Sequence, residues 1–436
     1  MTTIIVSDLH LGPGRDARTG QWSPLEDFFA DHAFAAFLDH YVRAIPRDRP
    51  TPPASRSPLP APRPTPPAPH TLILAGDTFN LAEVPGLTGT NLDRPDLEAA
   101  HHLHTIAAGH PVLFDALRAW LAAGNNIFVI PGNHDFELAF SHPQSALRNL
   151  LTSDIGLQTS DLLDFGPFYH DTRLRLYVEH GDRYCLPRKP GRPPSGYRRD
   201  RYLTPALKRR LPEVSNVYRA HYLTQLLTTD PLAILAVFPY LRAYLTAHVP
   251  DLPRGQGEHV TLHTINVALI NANWDRTRSQ LRRATALGAA SLILRLVAGA
   301  LPGAALSVLF LDRNVLVTLT LFLTAGLSRV LSAAATRRAE DIFFTDLPRT
   351  AAQDIAPSVA RAGVQTLVFG HSHFADAARF SGVKYLNSGT WIRTIDPLSL
   401  VPAPTQTFIH VDDAGFARLL HWTDQGPQEP IIVRKD

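Results

Sequence analysis

Five short apolar runs in this chain each stop at side chains able to bind a metal, and that recurrence limits the possible folds more than any other feature. Thr3-Ile4-Ile5-Val6 leads into Ser7-Asp8-Leu9-His10, and Thr71 to Ala75 ends in Gly76-Asp77. Ile127 to Ile130 ends in Pro131-Gly132-Asn133-His134-Asp135, and Leu174 to Val178 in Glu179-His180-Gly181-Asp182. Thr366 to Phe369 ends in Gly370-His371-Ser372-His373. Short runs rich in β-branched or large residues, closed at or beside glycine, read as buried strands. Open α/β sheets place ligands just past the carboxyl ends of such strands. Residues i and i+2 of a strand share a face, so Asp8 and His10 are expected to converge on one rim.

The intervening sequence supplies helices for such a sheet. Pro24 to Ala44 repeats Phe28, Phe29, Phe34, Phe37, Leu38 and Tyr41 near helical spacing, and Asp96 to Ala123 reads as a second helix. Near the C-terminus, Thr407 to Val411 and Phe416 to Trp422 alternate as strands around the turn Asp412-Asp413-Ala414-Gly415. Residues 46–70 hold so many of the chain's 37 prolines that neither helix nor strand can propagate, which marks a surface insertion. Residues 183–364 form a long insert that looks mainly helical. The expected organisation is a catalytic domain in two parts, 1–182 and 365–436, around that insert.

Composition excludes several classes. With 436 residues, 45% hydrophobic and 19% charged, the chain can bury a large core, so it is neither disordered nor a disulfide-stapled mini-protein. A single cysteine, Cys185, forms no internal disulfide and packs as a small hydrophobe rather than acting as a nucleophile. The start carries no basic n-region or h-region, so the expectation is a cytoplasmic catalytic domain. The net charge of +3 is carried almost wholly by arginine, concentrated from Arg183 to Arg210. Such a cluster suits a solvated helix face, phosphate or an anionic surface, and leaves nucleic acid open as a substrate. His101, His102 and His104 sit on a predicted helix away from any strand end and read as a solvated face.

Within the insert, Leu287 to Phe310 and Val315 to Leu331 are strongly apolar and separated by Leu311-Asp312-Arg313-Asn314. Arg295 makes the first marginal: a central arginine costs about 2.5 to 3.5 kcal/mol, against about 0.3 to 0.6 gained per Leu, Ile or Val. Topology is the sharper constraint. If ligands before Tyr184 share a site with His371 and His373, both flanks of the insert lie on one side of any membrane. The hairpin 287–331 therefore crosses twice, lies on the surface, or packs in a homo-oligomer interface. Arg282, Arg283, Arg329, Arg337 and Arg338 at its base fit ends facing the cytoplasm, at the inner face of the cell membrane.

The strand ends together offer Asp8, His10, Asp77, Asn133, His180, His371 and His373. Carboxylate, amide and imidazole without thiolate suit divalent ions, Mn²⁺ foremost, with iron, Zn²⁺ or Mg²⁺ as alternatives. Seven ligands are too many for one ordinary ion. Two ions about 3.5 to 4 Å apart, sharing one carboxylate, would use them all in phosphoester hydrolysis.

These motifs, in this order, resemble the calcineurin-like metallophosphoesterase superfamily, and Asn387-Ser388-Gly389-Thr390-Trp391 is similar to the segment following its last histidine pair. The resemblance covers residues 1–182 and 365–422 and implies a four-layer α/β/β/α sandwich carrying a large helical insertion. It implies that Asp8, His10 and His373 hold one ion, that Asn133, His180 and His371 hold the other, and that Asp77 bridges them. A bridging hydroxide would attack phosphorus, with His134 stabilising the phosphoryl oxygens or protonating the leaving group. Asp135 would orient its loop, and Asn80 would stand where relatives place a polar partner for that histidine. His180 to Cys185 is further similar to UDP-diacylglucosamine pyrophosphohydrolases, from which His134 and Leu186-Pro187-Arg188-Lys189 depart. The implied activity is hydrolysis of a phosphoester, phosphodiester or pyrophosphate bond, on a substrate that is lipid-like and membrane-associated. A nuclease of the same superfamily, or a membrane scaffold with a dead site, are the alternatives.

Overall fold

The computed structural model describes residues 2–43, 69–84, 95–153, 161–184, 267–311, 313–344, 347–393 and 405–430. Most of the proline-rich insertion, Cys185 and the arginine cluster beyond Tyr184 lie outside the described residues.

Two sheets carry the fold. The first joins β1 (Thr3–Val6), β2 (Thr71–Ala75), β3 (Asn126–Ile130) and β4 (Leu163–Phe165) in parallel. The second contains β5 (Tyr169–Asp171), β6 (Leu176–Val178), β7 (Thr366–Phe369), β8 (Ala375–Phe380) and β9 (Val383–Ser388), in the order β5-β6-β7-β9-β8 with β6, β7 and β9 parallel. A C-terminal meander, β10 (Thr407–Val411), β11 (Ala417–Thr423) and β12 (Gly426–Gln428), extends the first sheet antiparallel to β1. The parallel strands β1, β2, β6 and β7 are buried, largely apolar runs because both of their faces are covered.

Alternate residues separate the layers. Ile4, Val6, Leu72 and Leu74 pack outward against Phe34, Phe37, Leu113 and Phe114. Those side chains come from α1 (Asp31–Arg43) and α3 (Pro111–Ala122), which flank the outer face with α2 (Pro95–Gly109) and α4 (Ser141–Thr152). Ile5, Ile73 and Ala75, one residue out of phase, meet Val178, Val368 and Leu386 of the second sheet. Behind that sheet, Tyr177, Leu367 and Phe369 pack on Ala352, Ile355 and Val359 of a further helix, Leu347–Arg361. The result is the α/β/β/α layering that the resemblance implies.

Two predicted helices need correction. Residues 24–30 are not helical, and α1 begins only at Asp31, because the Glu26 carboxylate collects the backbone N–H groups of Gly12, Gly14, Asp27 and Phe28. The helix expected over 96–123 is two helices broken at His110, since Pro111 has no N–H and disfavours helical backbone at the residue before it. His102 is also not solvated: it is buried, with Nδ1 2.8 Å from the Leu81 carbonyl. Trp391 is buried in the core.

The insert contributes α5 (Val267–Leu311) and α6 (Val315–Phe344), so the helix Leu347–Arg361 is α7. α5 and α6 pack along one another, with Ser291 Oγ 2.9 Å from Ser332 Oγ and Arg295 Nε donating to Ser332 Oγ at 3.1 Å. The pair is inside-out for a water-soluble hairpin. Ser291, Ala298, Ala305, Thr318, Ala325, Ser328 and Ser332 are buried between the helices, while Leu296, Phe310, Leu316, Leu323 and Val330 point outward, 66% to 78% exposed. Ala286–Leu311 and Val315–Ala335 are long and apolar enough to cross a membrane, yet only 12% and 22% of their most apolar windows are buried by the rest of the chain. Among the described residues, the hairpin is therefore not a core element.

Candidate metal centre

The site forms where the carboxyl ends of β1, β2, β3, β6 and β7 meet. The β1–β2 pairing continues past the strands, with the amides of Asp8, His10 and Leu11 donating to the carbonyls of Gly76, Asp77 and Thr78 at 2.9 to 3.1 Å. The approach is close enough that a methyl group on Gly132 would overlap the Asp77 carboxylate, and one on Gly76 would overlap the His180 ring. These glycines therefore serve proximity.

Asp8 and His10 converge, but not by strand geometry. β1 ends at Val6, and both residues have left-handed backbone, φ 55° and 50°. Asp77, His371 and His373 share that conformation, so candidate ligands account for five of the nine positive-φ non-glycine residues among the described residues. Each costs about 1 to 3 kcal/mol and persists only where its surroundings over-determine it. Strain of this kind concentrates at working sites.

Two groups of ligand atoms result, one of Asp8, His10, Asp77 and His373 and one of Asp77, His180 and His371. Within each group the atoms lie within 4.8 Å of one another, and Asp77 belongs to both. Asp77 Oδ2 is 3.2 Å from His180 Nε2 and 3.8 Å from His10 Nε2, and Asp8 Oδ1 is 3.3 Å from His373 Nε2. Hydrogen bonding orients the imidazoles. His180 Nδ1 donates to the Ala75 carbonyl at 3.0 Å, which leaves its Nε2 with a lone pair aimed into the site. His10 Nδ1 is 2.7 Å from Asn80 Oδ1, whose amide nitrogen reaches Asp27, so Nε2 of His10 is the free lone pair as well. That atom lies 2.9 Å from His373 Nε2, two imidazole nitrogens facing one point.

A pair of divalent ions fits this arrangement. Asp8 Oδ1, Asn133 Oδ1 and His180 Nε2 are buried without a hydrogen-bond partner, a costly state that coordination would relieve. The charges agree. Burial alone would raise the Asp8 carboxyl, but the imidazoles of His10 and His373 beside it hold it far below the carboxylate range. Burial would likewise raise Asp77, and the charge of His180 and its neighbours overrides it. Burial lowers His10 and His180, yet the two carboxylates push them up to about 9 and about 10. His371 is pushed down to about 4, by burial and then by His180. Two buried carboxylates thus demand cationic charge at their centre.

The remaining predicted residues divide. His134 stands edge-on to His10, ring centroids 4.7 Å apart, and its backbone N–H donates to Asp77 Oδ1 at 2.8 Å. Asn80, expected beside His134, instead gives its amide oxygen to His10. Asp135 is fully buried and accepts from the amides of Gly132, Thr78 and Phe79 at 2.6, 2.8 and 3.1 Å, tying the loop after β2 to the loop after β3. Burial and the neighbouring Asp77 charge push its carboxyl up to about 7, against those three donors. Replacing Asp135 with alanine orphans three amides and is expected to cost roughly 3 to 5 kcal/mol of unfolding free energy, read by urea denaturation.

Sequence reasoning missed the polar frame around Asp8. Ser7 Oγ hydrogen-bonds the Asp8 carboxylate and lies 2.6 Å from Ser388 Oγ, while Thr390 Oγ1 donates to the Asp8 carbonyl at 2.6 Å. Asn387 Nδ2 donates to the Gly370 carbonyl at 2.7 Å. The segment Asn387 to Thr390 therefore braces two ligand loops, and its polar residues clustered at a strand end were the available signal.

Comparison with known proteins matches part of the chain to one family. No curated protein matches the chain. The calcineurin-like phosphoesterase family model matches residues 1–206, the segment that supplies Asp8, His10, Asp77, Asn133 and His180. That family binds two divalent metals. His371 and His373, from beyond the matched segment, close the same centre. Residues 1–206 thus match the calcineurin-like phosphoesterase domain, which supports a phosphoester hydrolase.

Proposed function

We propose that this chain is a dinuclear-metal hydrolase of phosphoester or pyrophosphate bonds, held at a membrane and acting on a lipid-linked substrate. The observation that carries the reading is Asp77, which belongs to both ligand groups. Asp8, His10 and His373 would hold one ion, Asn133, His180 and His371 the other, and Asp77 both. The ions, when bound, supply Lewis acidity and a nucleophile from water at neutral pH. An oxygen and nitrogen donor set suits Mn²⁺ first, with iron, Zn²⁺ or Mg²⁺ as alternatives.

The chain's own residues do the rest. Asn80 fixes the tautomer and ring orientation of His10. Asp135 and the Asp77–His134 hydrogen bond hold His134 at the mouth of the centre, where its imidazole can hydrogen-bond a phosphoryl oxygen or give a proton to the departing alkoxide. Residues 1–182 and 365–436 make the catalytic domain, and 183–364 the insert.

Membrane attachment is assigned to 287–331, because its large apolar side chains face outward. Both arms return to the side of the metal centre, and exposed Arg282, Arg283, Arg329 and Arg338 lie at the base, as expected for a cytoplasmic inner face. Initial rates on a lipid pyrophosphate, a phospholipid and a short DNA, with Mn²⁺ and detergent-purified full-length chain, test the substrate reading. At least tenfold preference for a lipid substrate is expected; equal or faster DNA cleavage would replace the reading with a nuclease.

A further inference from the structure

A second buried charge cluster lies behind the metal centre, and neither the ligand set nor the hydrolytic chemistry uses it. His110, at the break between α2 and α3, is wholly buried, with Nε2 3.1 Å from Glu26 Oε2 and Nδ1 2.9 Å from Asp31 Oδ1. Both ring nitrogens face carboxylates, which only accept hydrogen bonds, so the ring is an imidazolium. Burial opposes that charge, and the hydrogen bonds that the ring donates to Asp31 and Glu26 override it, raising the group to about 9. Trp22 and Phe28 pack around the ring at 5.9 Å, with the Arg15 guanidinium beyond, 4.5 Å from the Trp22 ring centre.

The cluster reaches the metal centre by two arms. Glu26 accepts the amides of Gly12 at 3.1 Å and Gly14 at 2.6 Å, the first of them two residues past His10. Its neighbour Asp27 accepts Asn80 Nδ2 at 3.3 Å, and Asn80 Oδ1 holds His10 Nδ1. A left-handed non-glycine residue such as His10 needs this over-determination. From these contacts we propose that His110 is a positioning residue for the metal centre: its charge-assisted hydrogen bond fixes the Glu26 carboxylate in place, and Glu26, through Gly12 and Gly14, keeps the His10 loop in its ligating conformation. Without the cation, Glu26 is a buried carboxylate lacking its charged partner, and a shift of its side chain toward water becomes the relief. Such a shift gives up the contact with Gly12 or Gly14, and the His10 loop loses a tether. The inference rests on the two-ion reading above.

Calorimetric titration of metal-free, full-length protein with Mn²⁺ tests it. The wild-type chain is expected to bind two equivalents. His110→Gln is expected to keep one equivalent at wild-type affinity and to bind the other about ten- to a hundredfold more weakly, the usual penalty for losing support behind a ligand. Asp27→Ala, at a half-buried position, removes the second arm alone and should weaken the same equivalent, which keeps the test valid should His110→Gln fail to fold. Leu147→Ala, a core truncation in α4, should lower thermal stability and leave both affinities intact. Wild-type affinity for both equivalents in folded His110→Gln and in Asp27→Ala would overturn the proposal, as would equal weakening in Leu147→Ala. A wild-type chain that binds fewer than two equivalents would overturn the two-ion reading itself, and the proposal with it.

Discussion

Replacing Asp77 with alanine is expected to lower kcat by at least about 10³-fold, roughly 4 kcal/mol of lost transition-state stabilisation, and to remove both metal equivalents together. The expectation follows from sharing. Asp77 is the carboxylate common to both ligand groups, and its other oxygen holds the backbone of His134. A substitution at Asp8 touches one group; one at Asp77 touches both and also frees the loop after β3. Asp77→Asn keeps the shape but halves the charge-bearing capacity of the pair Asp8 and Asp77, so it should fall between the wild type and Asp77→Ala in metal affinity. Metal analysis of the purified variants, beside kcat on a small phosphodiester, reads both effects. A variant that loses one equivalent and keeps the other would show that Asp77 is not shared.

Shortening the hairpin is expected to move the chain from the membrane fraction to the soluble fraction while leaving metal binding intact. Ser291 pairs with Ser332, so joining the helices near Gly288 and Ala335 by a short turn keeps their register. At 1.5 Å per residue the two arms span about 39 Å and 32 Å, enough for a hydrocarbon core of about 30 Å. Arg295 and Arg329 lie about 21 to 24 Å from the tip by the same rise, near one interface rather than mid-bilayer, which softens the penalty assigned to Arg295 from sequence. Small residues between helices with large apolar residues outside is the arrangement lipid favours, because water does not drive large side chains together there. Fractionation with alkaline carbonate, followed by metal analysis of the shortened chain, checks both parts. If the full-length chain is soluble without detergent, and Leu316→Asp or Leu323→Asp splits an oligomer, the hairpin is a subunit interface instead.

The strand-end ligands were legible because they depend on local sequence. A strand buried on both faces must be apolar throughout, and loops that approach within van der Waals contact need glycine, as at Gly76 and Gly132. The ligand partition comes from the resemblance, and the geometry gathers Asp8, His10, Asp77 and His373 in one group and Asp77, His180 and His371 in the other. Local sequence could not reveal the left-handed backbone at Asp8, His10, Asp77, His371 and His373, since that conformation is imposed by contacts from distant loops. Strand alternation therefore reached the right convergence by the wrong geometry. The Asn80–His10 bond joins residues 70 positions apart and the His110–Glu26 pair 84, and no periodicity records such pairings. Gly109-His110-Pro111 did carry a local stop signal, outweighed by apolar spacing that runs through both helices. Inside-out burial in α5 and α6 was likewise invisible to hydropathy, which counts apolar residues without saying which way they face.

The central claim is that two ions held at one shared carboxylate perform the hydrolysis. Titrating metal-free, full-length protein with Mn²⁺ while following hydrolysis of a small phosphodiester tests it most directly. The account predicts activity that stays low through the first equivalent and reaches its plateau at two per chain. Full activity at one equivalent, or activity that persists with tightly chelated metal, would contradict it.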